Sequence, residues 1–233
     1  MRERLLEISD LTLERGERRL FDRFKMAVNQ GQIVQLAGPN GVGKTTLLRA
    51  ISGLLQPQSG AFLWRGEQAT ANQYSDEIFY LGHKPAVSMQ LTPEENLRQF
   101  QLSRRVANSF SSDLVSDQNS DSTSDSTSDS KVLWDALTQL GLTGYQDELC
   151  ARLSAGQKRR VSLAKLLLSK ATLWLLDEPF TAIDSTGIQF LCARMANFAR
   201  AGGAILFTSH QAVTFPNYDY QVIDLNNHQQ GHD

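Results

Sequence analysis

Short unbroken apolar runs alternate along this chain with stretches of helical character. GQIVQLAG (31–38), TLWLLDE (172–178) and GAILFTSH (203–210) are runs of the first kind, each closing on Gly or on polar residues. Apolar runs of this length suit strands buried on both faces. TTLLRAISG (45–53), KVLWDALTQLG (131–141) and QKRRVSLAKLLLSK (157–170) read as helices, the first stopped by Gly53. Strands separated by helices predict an α/β fold with a largely parallel sheet. Ligands of such sheets bind beyond the carboxyl ends of the strands, and the chemically suggestive residues of this chain lie there.

One stretch breaks the pattern. SSDLVSDQNSDSTSDSTSDS (111–130) is low in complexity, repeats every four residues and has almost no apolar side chains. It cannot bury enough surface to offset the entropy of ordering, so it is expected to be a disordered surface insertion. Its five aspartates, Asp113, Asp117, Asp121, Asp125 and Asp129, have no Lys or Arg among them and outweigh the whole net charge of -2. The rest of the chain is therefore slightly basic, far from the strong positive charge of a nucleic-acid binder, and no nucleic-acid partner is expected.

At 233 residues, with 41% hydrophobic and 21% charged side chains, the composition is that of a soluble globular chain. No apolar run approaches the ~20 residues that span a bilayer. MRERLLEISD (1–10) carries charges and no apolar core, which argues against a secretory signal. Cys150 and Cys192 are isolated and fit no metal or redox spacing, so both read as buried thiols in a reducing, cytosolic environment.

GPNGVGKTT (38–46) follows a strand, opens a helix and fits the G-x-x-x-x-G-K-[ST] phosphate loop. Gly38, Pro39, Asn40, Gly41, Val42 and Gly43 form the loop whose backbone N–H groups converge on a phosphate. Lys44 supplies a point charge between β- and γ-phosphates, Thr45 a hydroxyl for Mg²⁺, and Thr46 a donor for the α-phosphate. Asp177, closing the apolar run at 172, is the expected Mg²⁺ partner. Glu178 follows where it could polarise a water for attack on the γ-phosphate. ATP and Mg²⁺ are thus the expected ligands.

LSAGQKRR (153–160) adds a second anion site, a hydroxyl and free N–H groups at the positive end of a helix. Small-molecule kinases and GTPases have no such element. LSAGQ resembles the signature motif of ABC ATPases, normally LSGGQ, and its spacing to LWLLDEP suits that class. FTAID (180–184) resembles the loop that follows, with Asp184 at its acidic position. TSH (208–210) resembles the switch histidine, placing His210 toward the γ-phosphate. The resemblance spans the chain apart from the acidic insertion. It implies a P-loop NTPase of the ABC ATPase type: one domain, residues 1–233, with a parallel core, an antiparallel β edge and a helical subdomain over about 84–165.

In ABC ATPases the signature of one subunit closes over ATP held by the other. The resemblance therefore implies a homodimer in which Ser154, Gly156 and Gln157 meet the partner's nucleotide. Ala155 stands where a Gly is usual, so its backbone should avoid φ > 0. In YLGHKPAVSMQLTPEENL (80–97), His83 falls where the family carries a Gln toward Mg²⁺ and the attacking water. A neutral imidazole can also bond a water or approach a metal, so His83 joins Glu178 and His210 as a catalytic candidate. The family's adenine-stacking aromatic is replaced by Arg15, whose planar guanidinium can stack on a base.

YLGHKP and LSAGQKRRVSLAKLLLSKATLWLLDEPFTAID are similar to the ATP-binding subunits of bacterial cytochrome c biogenesis (haem exporter) complexes. That similarity implies a peripheral subunit on the cytoplasmic face of the inner membrane, held there by integral membrane transporter subunits. Its output would be haem export or release of a haem-loaded chaperone. No C-x-x-C-H motif is present, so the chain need not touch haem itself. A transporter ATPase for another substrate, or a non-transport ABC ATPase, remains open on these residues.

Overall fold

The computed structural model describes residues 3–112 and 126–228. The chain forms two units by its contacts, one made of residues 1–83 with 171–233 and the other of Lys84–Lys170.

The first unit holds two sheets. A long hairpin, β1 (Arg4–Arg15) and β2 (Arg18–Asn29), joins β4 (Ser59–Trp64) and β5 (Glu67–Gln68) in an antiparallel sheet of order β2-β1-β4-β5. Register shifts along β1 break strict alternation, so Leu5 and Leu6, consecutive in sequence, are both buried. The second sheet has β3 (Ile33–Ala37), β6 (Ile78–Leu81), β7 (Leu173–Leu176), β8 (Ala204–Thr208) and β9 (Gln221–Asp224) in the order β6-β7-β8-β3-β9, all parallel. Every residue of β7 and β8 is buried, the state their unbroken apolar runs require. Register aligns the strand ends: Leu81 pairs with Leu176, Leu176 with Phe207 and Leu36 with Thr208. Each functional candidate of this unit outside the hairpin follows one of those aligned ends within the next loop or helix.

Between the strands lie α1 (Lys44–Ile51), the single turn α2 (Ala71–Tyr74) and α6 (Ser185–Arg200). Leu47, Leu48 and Ile51 of α1 are fully buried in a core with Leu5, Phe21, Val34, Leu36 and Leu206. A burial of this kind stabilises by about 25 cal/mol per Å² of apolar surface.

The second unit is helical: α3 (Pro93–Ser112), α4 (Ser126–Gln139) and α5 (Ala155–Leu168). It extends to Lys170, past the expected boundary at 165, because α5 runs unbroken to Leu168. The expectation of disorder over 111–130 falls outside the described residues for 113–125. At its margins α3 reaches Ser112 and α4 begins at Ser126. There Ser130 Oγ accepts from Arg98 at 2.9 Å and donates to Glu94 at 3.3 Å, which anchors the start of α4 to α3.

Candidate active site

The loop between β3 and α1 turns through three left-handed glycines, Gly38 at φ 138°, Gly41 at 82° and Gly43 at 113°. Gly43 is needed twice over, because a Cβ there would lie 2.7 Å from the Phe21 ring. Val42 is buried at 2% exposure and its N–H bonds Pro39 O at 3.3 Å. Its side chain packs on Gly38, where an added Cβ would lie 3.0 Å from Val42 Cγ1. Val42 therefore shapes the loop from beneath. At the loop's centre the buried Lys44 ammonium donates to Gly38 O at 2.7 Å and Pro39 O at 3.2 Å. Thr45 and Thr46 sit in the first turn of α1, at the positive end of its dipole.

Beyond the aligned strand ends a single cleft of about 390 Å³ is lined by Arg15, Pro39, Asn40, Gly41, Gly43, Lys44, Thr45 and Thr46. His83, Asp177, Glu178 and His210 line it as well. Thr45 Oγ1 donates to Asp177 Oδ2 at 2.9 Å. His210 Nε2 lies 3.5 Å from Glu178 Oε1. Asp177 is buried at 2% exposure and its N–H bonds Leu81 O at 2.8 Å, tying the acidic pair to β6. Neighbouring Tyr80 is pushed up to about 12 by burial first and by the charge of Asp177 second, against Arg49, so its phenol keeps its proton.

Asp184 is not among the lining residues. It caps α6, Oδ1 accepting from Gly187 N at 3.0 Å. Ser154, Gly156 and Gln157 belong to the helical unit. There Ser154 Oγ accepts from Gln157 N at 3.2 Å while Gln157 Oε1 accepts from Ser154 N at 2.8 Å, a reciprocal capping box. Ala155 is the first residue of α5 and keeps a helical, negative φ, as its Cβ requires.

Sequence reasoning missed two cleft residues, Leu20 and Thr181, and the fully buried Thr208 that bonds the acidic pair. Thr208 Oγ1 donates to Asp177 Oδ1 at 2.9 Å and accepts from Glu178 N at 2.8 Å. The available signal was a hydroxyl ending an otherwise apolar, fully buried strand, since a buried polar group needs a partner.

Residues 21–181 match the ABC transporter family. The chain belongs to that family. The cytochrome c biogenesis ATP-binding export protein CcmA of Tatumella citrea is 43% identical over 210 residues, 89% of each chain. The protein of the same name from Escherichia coli O157:H7 is 39% identical over 223 residues, 95% of this chain and 96% of its own. Among solved structures, a putative ABC transporter ATP-binding protein from Pyrococcus furiosus superposes with a TM-score of 0.74 at 25% identity, over 96% of this chain and 98% of its own. This ABC protein is thus an ATP-binding ATPase, with the parallel core, antiparallel sheet and helical unit of its family.

The donor set suits magnesium. Among the described residues no group of three His, Cys, Asp or Glu is placed to hold a metal. Magnesium, however, is usually held by one or two protein oxygens together with substrate phosphates. The bonded Thr45–Asp177 pair, beside the phosphate loop, offers that.

Proposed function

We propose that this chain is the ATP-hydrolysing subunit of a membrane export complex of cytochrome c biogenesis, moving haem or releasing a haem-loaded chaperone. The observation that carries the hydrolytic reading is the convergence of Lys44, Thr45, Asp177, Glu178 and His210 on one cleft. The export reading is supported by the cytochrome c biogenesis export proteins that the chain matches along nearly their whole length. The family's ATPases act as dimers with membrane partners. In keeping with a separate membrane-spanning partner, no helix among the described residues is long and apolar enough to cross a bilayer.

Each residue's part follows from its position. The loop amides and the Lys44 ammonium, now on two backbone carbonyls, would turn to phosphate oxygens of ATP. Magnesium, when bound, would neutralise charge on those phosphates, with Thr45 and Asp177 to hold it. Glu178 would accept a proton from the water that attacks the terminal phosphorus. His210, 3.5 Å away, would fix the Glu178 carboxylate and reach toward the γ-phosphate. His83, which lines the same cleft, would hold that water, and Arg15 would stack on adenine. Ser154, Gly156 and Gln157 would close over the ATP of a second copy.

The test is purification of the full chain from detergent-solubilised membranes. Identified transmembrane subunits and ATPase activity abolished by Lys44→Ala are expected. Activity without any membrane partner, or partners belonging to another transport system, would overturn the export reading.

A further inference from the structure

We infer that Thr208 is a positioning residue for hydrolysis: its hydroxyl holds the backbone of Glu178 so that the carboxylate faces the cleft. The inference rests on the reading of Glu178 as the base. Thr208 ends β8 with no exposure at all. Its Oγ1 lies 2.9 Å from Asp177 Oδ1 and 2.8 Å from Glu178 N. An ionised carboxylate only accepts and a backbone N–H only donates, so whatever stands between them must do both. A hydroxyl does, and among side chains of this size only Thr and Ser carry one. Glu178 sits at φ 50°, a left-handed conformation that a residue with a Cβ seldom adopts. Two bonds hold that backbone in place, Glu178 N to Thr208 Oγ1 and, at 3.3 Å, Thr181 N to Glu178 O. The other oxygen of Asp177 accepts from Thr45, so one line of contacts runs from the phosphate loop through Asp177 and Thr208 to Glu178.

Losing the hydroxyl lets the Glu178 peptide relax and re-aims its side chain without touching the nucleotide. The experiment compares Thr208→Val, which keeps the shape, with Thr208→Ser, which keeps the hydroxyl, in the full chain purified with its membrane subunits. Turnover and KM are measured beside the affinity for a fluorescent trinitrophenyl ATP analogue. Thr208→Val should lower kcat on the order of 100-fold, the effect of a displacement of about 1 Å, with KM and analogue affinity within about threefold. Thr208→Ser should recover to within about tenfold of wild type. Thr208→Val should add nothing to Glu178→Gln, because both act through one carboxylate. The inference is overturned if Thr208→Val keeps its kcat, if its loss follows weaker analogue binding or is restored by excess magnesium, or if it multiplies with Glu178→Gln. Where Thr208→Val does not purify, Thr208→Ala replaces it under the same criteria. A fast Glu178→Gln would remove the base and the inference together, whereas a slow Glu178→Gln beside a fast Thr208→Val overturns the inference alone.

Discussion

Glu178 and Lys44 face the same cleft and should fail differently when changed. Glu178→Gln keeps size and hydrogen bonding but removes the base, so it should bind ATP normally and turn over about 10² to 10⁴ times more slowly. Lys44→Ala deletes a charge felt in ground and transition states alike, so it should show first as weak nucleotide retention in an equilibrium binding assay. Wild-type turnover in Glu178→Gln, or wild-type binding in Lys44→Ala, would reverse these assignments. Both residues were legible because their motifs are short and local. Arg15 and His83 were legible only through family resemblance, since nothing nearby in sequence tells a cleft-lining side chain from an exposed one. The fold brings both to the cleft by ending β1 and β6 at its rim.

At the scale of elements, small polar contacts hold the segments that carry function. In the helical unit the buried Asn96 accepts from Ser88 N at 2.7 Å and donates to Ser88 O and Thr92 O, each at 3.0 Å. Asn96 thus ties the loop 86–92 to α3, beside the bonds that Cys150 N and Ala151 N make to Leu91 O and Met89 O, each at 3.0 Å. Asn96→Leu should cost about 1–3 kcal/mol, the price of unpaired buried groups, read as a lower urea midpoint. ABC ATPases meet their membrane subunit at the stretch corresponding to 86–90, and Met89 there is 45% exposed while Val87 is half-buried, so we propose Met89→Asp as a probe of docking. Lost co-purification with ATP binding intact is the expected result. On α6, burial raises the Cys192 thiol from an ordinary 9.0 to about 11. The folded state therefore favours the protonated thiol. That contribution is whole below about pH 9 and is lost as the pH climbs through about 11. Stability should fall between those values, and Cys192→Ala should flatten the fall; an unchanged slope would mean the thiol does not titrate there.

For the whole molecule the decisive question is whether the signature of one copy meets the phosphate loop of another. Val42 is buried and would hide a thiol, whereas Asn40 is exposed on the cleft. In a Glu178→Gln chain with Cys150 and Cys192 replaced by Ser, Asn40→Cys and Ser154→Cys are combined. Disulfides need Cα atoms within about 7 Å, and a two-fold axis makes two identical sites. ATP should then drive a covalent dimer on a denaturing gel. A cross-linked band at monomer size would remove the sandwich arrangement.

What the sequence determined by itself was everything set within a few neighbouring residues. Glycine spacing shaped the phosphate loop, unbroken apolar runs made buried parallel strands, and Ser154 and Asp184 capped the helices that follow them. Only the tertiary structure decided the contacts between residues that lie on different elements, far apart in sequence. Thr45 meets Asp177 across 132 positions, and Thr208 reaches Asp177 and Glu178 because β7 and β8 lie side by side in register. The same holds for β1, whose shifted register buries consecutive leucines that simple alternation would have split between two faces. Local pattern records what each residue prefers. Strand order and register choose which preferences meet, and no short window of sequence contains them.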